Sequence, residues 1–127
     1  MDVLFETNDG KLQFDQNKEV CLLVKGGMPS AENKAMLEAM MKAIKVDMNQ
    51  VDLVAYEGKL ETIPKHATII ILFGVSPGSL SNIELKLNQS IHLEHNIVLP
   101  TFSLDDLQQD KSKKMVLWKT LQSTFLN

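Results

Sequence analysis

The chain has 127 residues, 44 % of them apolar and 23 % charged, a composition that gives one globular domain able to bury a core without disulfides or a metal. Thirteen basic against sixteen acidic residues leave a net charge of −3, so the positive field that carries non-specific binding to phosphate backbones is missing. One cysteine excludes an internal disulfide and fits a reducing compartment; with no basic-then-apolar leader and no long apolar run, the expectation is a cytoplasmic protein without a membrane span.

Residues 1–18 hold two short β-prone runs, Val3 to Thr7 and Lys11 to Asp15, around Asn8-Asp9-Gly10. The turn predicts a hairpin; the alternative is a partner-binding arm anchored by Leu4, Phe5, Leu12 and Phe14. Residues 19–127 read as a single α/β domain. Glu19 to Lys25 is a buried strand, with Cys21 inside it as plain core. Gly26-Gly27-Met28-Pro29-Ser30 then turns the chain into a helix expected over Ala31 to Val46, with apolar residues at 36, 37, 40, 41 and 44 and Ser30 as N-cap. A glycine turn feeding a helix can hold a phosphate, but this spacing is neither the dinucleotide nor the P-loop pattern, and a tight turn is the plainer reading. Met36, Met40 and Met41 form a stripe that reads either as a soft binding surface or, more simply, as a helix face packed on a sheet.

Val51 to Tyr56 is a shorter strand whose partial alternation suits an edge, and Glu57 to Lys65 is a polar connection. Ala67 to Phe73 is rich in Ile, Leu and Phe, as a central parallel strand buried on both faces is. It runs into Gly74-Val75-Ser76-Pro77-Gly78, a turn beyond the carboxyl end of a central strand, where open α/β sheets bind ligands. Ile83 to Leu87 alternates like an edge ribbon, and residues 90–99 supply one more strand, broken around Glu94-His95-Asn96. His92 and His95 have no third ligand placed by spacing, so they read as polar surface rather than a metal site; His66 lies at the opposite end of its strand from the Gly74 turn. Ser103 with Asp106 resembles a capping box, Asp110 is a second N-cap or a kink, and Leu107, Met115, Trp118, Leu121 and Phe125 keep helical spacing, with Trp118 in the core. Lys111, Lys113, Lys114 and Lys119 are the one basic cluster, either a solvated helix face or a contact for phosphate or an acidic partner.

The segments CLLVKGGMPS, LEAMMKAIKV, Asn49-Gln50-Val51, Ile63-Pro64, Leu72-Phe73-Gly74 and LPTFSLDDLQQDKSKKMVLWKTL, in this order, resemble the psi subunit of the bacterial DNA polymerase III holoenzyme over about residues 20–122. The resemblance implies a uracil-DNA glycosylase-like fold: a three-layer α/β sandwich with a mainly parallel central sheet of about four strands flanked by helices. It also implies that the chain is not an enzyme. Where several glycosylases read Gly-Ile-Asn-Pro, this chain has Gly74-Val75-Ser76-Pro77; where they read His-Pro-Ser, it has Leu99-Pro100-Thr101, and a leucine can neither donate a hydrogen bond nor carry charge. Gly26, Gly27, Gly74, Ser76, Pro77 and Leu99 are then a vestigial ligand loop, with no cofactor and no metal. The role implied is a connector between the clamp loader and the chi subunit, which contacts single-strand-binding protein, without strong nucleic-acid binding of its own. Psi proteins of the familiar type reach the clamp loader through an Arg- and Trp-containing N-terminal peptide; residues 1–18 contain neither, leaving Leu4, Phe5, Leu12 and Phe14 as a different docking surface. The other readings are a divergent glycosylase-like protein acting on nucleic acid and a small-ligand-binding α/β module.

Overall fold

A computed structural model describes residues 18–25, 28–55, 66–74, 87–92 and 96–126. Strand β1 (Val20–Val24) leads to helix α1 (Ala31–Ala43), a short 3-10 turn (Met48–Gln50) and β2 (Val51–Ala55). Then come β3 (Ile69–Phe73), β4 (Ile91–His92), β5 (Ile97–Thr101), α2 (Leu104–Gln109) and α3 (Lys111–Phe125). The strands form one sheet in the order β2-β1-β3-β5-β4, parallel except for β4. The Ile-, Leu- and Phe-rich strand expected at the centre is there: β3 is the middle strand, with Ile70, Ile71 and Leu72 fully buried. The chain is thus α/β, with a mostly parallel sheet of five strands among the described residues. The one strand expected over 90–99, with its alternation broken around Glu94-His95-Asn96, is instead two strands among the described residues, the antiparallel edge β4 and the parallel β5, so the count is five where about four were expected.

Pro100 lies inside β5, where the sequence reading ended the strand at residue 99. Its missing N–H does no harm for a geometric reason. Ile97 and Thr101 turn their backbone groups towards β3, so Pro100 turns towards β4, whose pairing has already ended at Val98; the Pro100 carbonyl accepts from the Asn88 N–H at 2.7 Å.

Alternate strand residues face opposite sides. Val20, Leu22, Val24, Ile71, Phe73 and Leu99 form one cluster with Leu37 and Met41 of α1, Leu107 of α2, and Leu117 and Leu121 of α3. All three described helices therefore lie on this face. Cys21, Leu23, Ile70, Leu72 and Val98 on the opposite face are buried too, and the helical layer expected there falls outside the described residues. So do residues 1–17 of the hairpin or arm expected over 1–18, the connection 57–65 and most of the ribbon expected over 83–87.

Helix α1 begins where expected: Ser30 is extended and its hydroxyl accepts from the Asn33 N–H. It ends three residues early, at Ala43. Val46 N–H reaches the Met41 carbonyl and Lys45 N–H the Lys42 carbonyl, which is a Schellman stop, and Lys45 takes the left-handed conformation (φ 65°) that the motif normally gives to glycine. Relief of that strain, set against glycine's larger unfolded-state entropy, leads to a testable gain: Lys45→Gly should raise stability by about 0.5–1 kcal/mol in a denaturant titration.

In the last helix the packing stripe is centred one residue away from the expected one. Leu117 and Leu121, four apart, are the buried pair; Met115 is 52 % exposed and Trp118 is half-buried rather than core, with part of its ring open to the surface. Asp110 is an N-cap, accepting from the Ser112 and Lys113 N–H groups at 2.9 and 3.3 Å, and the Ser112 hydroxyl and these amides hold its carboxyl below the usual range.

Cys21 is the plain core residue expected. Burial, with Asp52 opposite it on β2, pushes its thiol up to about 12. The thiol should resist alkylation in the native protein and react on unfolding. Because the folded state holds this proton more tightly than the unfolded state, the contribution is complete below about pH 8.5 and is lost as pH rises towards the folded value, at up to about 1.4 kcal/mol per unit. Cys21→Ala should remove that slope.

Candidate functional site

In the order β2-β1-β3-β5 the chain reverses direction across the sheet between β1 and β3, and the crevice beyond the carboxyl ends of those strands is where such sheets bind ligands. Gly74 stands there. It has φ +77°, and its N–H donates to the Thr101 carbonyl at 3.1 Å while the Lys25 N–H donates to the Phe73 carbonyl at 3.1 Å. A Cβ on Gly74 would lie 2.9 Å from the Cβ of Ser103 and 3.1 Å from its Cα. The glycine is therefore needed for the turn and also for close approach of the β5–α2 link.

Ser103 caps α2, accepting from the Asp106 N–H at 3.2 Å. Helices α1 and α2 both open at this edge of the sheet and are tied to each other. The Asn33 amide, 7 % exposed, donates to Asp105 Oδ1 at 3.0 Å, and Gln108 Nε2 donates to the Glu32 carbonyl at 3.0 Å. Glu32, Asp105 and Asp106 occupy the first turns of these helices, so the charge complementing the helix dipoles is supplied from within the chain. A phosphate approaching here would meet three carboxylates.

Of the expected ligand loop, Gly74 is at the crevice; Gly26, Gly27, Ser76 and Pro77 lie outside the described residues, as do Leu4, Phe5, Leu12 and Phe14. Leu99 does not belong to the loop. Because β5 runs on to Thr101, Leu99 sits two residues back inside the sheet, opposite Ile71, with 0 % exposure and its side chain in the helix-facing cluster. His92 is exposed on the edge strand, and His66 precedes β3 at the amino end of the sheet. Among the described residues no group of three or more His, Cys, Asp or Glu could hold a metal ion, and no helix is long and apolar enough to cross a membrane.

Two features escaped the sequence reading. Asn88, with φ +59°, accepts from the Thr101 hydroxyl at 2.7 Å and from the Thr120 hydroxyl at 3.3 Å through its carbonyl, joining the loop before β4 to β5 and α3. Asn96, buried, donates through Nδ2 to the Ala67 carbonyl and so fixes the amino end of β3. Asn tolerates left-handed backbone better than most residues, the one local signal that position 88 carries; Asn96 carries none.

On the outer surface of the helical layer, α1 and α3 leave a groove of about 340 Å³. Met36, Ala39, Met40 and Ala43 form one wall, and Leu117, Trp118 and Leu121 the other, with Lys114 at its margin. Trp118, half-buried, is one of the residues lining this groove among the described residues. Compared with models of known protein families and with curated proteins, the chain matches none.

Proposed function

We propose that the chain is a non-enzymatic connector of the replication machinery, similar in role to the psi subunit, joining the clamp loader to a chi-type subunit and through it to single-strand-binding protein. The observation that carries the non-enzymatic part is the burial of Leu99. The position that the resemblance aligns with the charge-stabilising histidine of glycosylases packs under α1 and α3 and faces no crevice. A residue so enclosed neither touches a flipped base nor polarises a leaving group. Beside the crevice the described residues hold the Asn33–Asp105 bond between α1 and α2 and the close approach of Ser103 to Gly74.

Connectors work through surfaces, and the groove beside Trp118 supports that half of the reading. The test is co-elution of the purified protein with a purified clamp-loader complex in size exclusion, repeated with chi subunit. A stable complex, weakened by the Leu4→Ala, Phe5→Ala double variant, is the expected result. Excision of uracil from DNA by the purified protein, abolished by Ser76→Ala, would replace the proposal with the glycosylase reading.

A further inference from the structure

We propose that the α1–α3 groove is the docking site for an acidic amphipathic helix of a partner protein, its apolar face against Trp118 and its carboxylates on Lys114 and Lys111 of α3. The inference concerns the groove alone and does not depend on the replisome reading.

The groove has the dimensions and chemistry for this. Met36 to Ala43 covers two turns of α1, about 10 Å of length. Ala39 and Ala43 add little bulk to the wall, so another backbone can come close, while methionines adapt to the side chains laid against them. The α3 lip continues outward as Lys111, Met115 and Trp118, which share a ridge at spacings of four and three; Met115 is half in solvent.

Charge selects the partner. Helix α3 carries Lys111, Lys113, Lys114 and Lys119 and no acidic residue, in a chain whose net charge is −3. Lys113 stands over the Phe102 ring at 4.9 Å and Lys119 lies on the side of α3 away from the groove, whereas Lys114 lines it and Lys111 stands one turn before, neither with a carboxylate partner among the described residues. Two cations on one lip of an apolar groove, Lys114 and Lys111, favour an acidic segment and speed its encounter. A second copy of this chain fits less well, since an isologous contact would set the lysines of one α3 against those of the other.

The test uses the full chain and Trp118, its one tryptophan, as reporter. The probe is a synthetic helical peptide with Leu at three- and four-residue spacing and Glu elsewhere; its counterpart carries Lys in place of Glu. The expected result is a saturable change in tryptophan emission with the acidic peptide only, weakening as salt is raised. Lys114→Glu should weaken binding about tenfold or more. Ala39→Glu, at an exposed position that leaves the core untouched, should do the same. Binding of neither peptide, or equal binding of both, would overturn the proposal. So would sedimentation showing a dimer that Ala39→Glu dissociates, since the occupant would then be a second copy.

Discussion

Gly74→Ala should be among the most damaging single substitutions in the described part of the chain. Two independent costs add. An alanine held at φ +77° loses about 1–2 kcal/mol to the contact of its Cβ with its own carbonyl. The same Cβ then falls 2.9 Å from Ser103 Cβ and 3.1 Å from Ser103 Cα, and overpacking of this kind costs about 1–3 kcal/mol. The total, about 2–5 kcal/mol, should appear as a lower urea midpoint at unchanged slope. The two contributions separate in a cycle. Ser103→Gly removes the atom nearest the new methyl and keeps a residue that caps helices nearly as well, at a cost of a few tenths of a kcal/mol. The double variant Gly74→Ala, Ser103→Gly should recover part of the steric loss but none of the backbone loss. A double variant no more stable than Gly74→Ala alone would mean that Ser103 does not set the limit at this turn.

Leu99→Ala should cost about 3 kcal/mol, in the range measured for fully enclosed leucines, whereas Leu99→Met, nearly equal in volume, should cost less than about 1.5 kcal/mol. The contrast separates the two roles the position has been given. A residue of a ligand loop changes binding and leaves stability nearly alone; a residue between β3 and the helical layer changes stability with volume. Leu99→His puts an imidazole where every neighbour is apolar, so the folded protein must hold it neutral. It should destabilise strongly below about pH 6.5, where the unfolded chain binds a proton that the buried ring cannot, and should confer no excision of uracil. Normal stability of Leu99→His at pH 5 would show the side chain reaching water.

The parts of the fold legible in the sequence were those written locally. The run Ile69 to Phe73 has no polar residue to give either face to solvent, so its central place was readable; Ser30, Ser103 and Asp110 each cap the helix that follows them. What was not legible depended on partners distant in the chain. Pro100 reads as the end of a strand until it is known that β4 is two residues long and leaves that side of β5 unpaired. Trp118 reads as core because helical spacing gives the direction of a face and not what covers it; Leu117, equally periodic, was passed over. At the crevice, Gly74 announced a turn, while the reason only glycine fits is Ser103, which comes close to it only through the pairing of β3 with β5.

The position of β1 between β2 and β3 has a consequence for assembly during synthesis. The unit β1-α1-β2 is contiguous, so half of the hydrogen-bonding capacity of β1 can be met early, from within residues 20–55. Its other edge waits for Ile69 to Phe73, and the far edge of β3 waits again for Ile97 to Thr101. Until then an apolar strand stands with open N–H and C=O groups, the form most prone to pair with another nascent chain. Protection of the interval between the emergence of β2 and β3, by slow translation or by a chaperone, should matter more to the yield of this protein than the stability of the finished sheet.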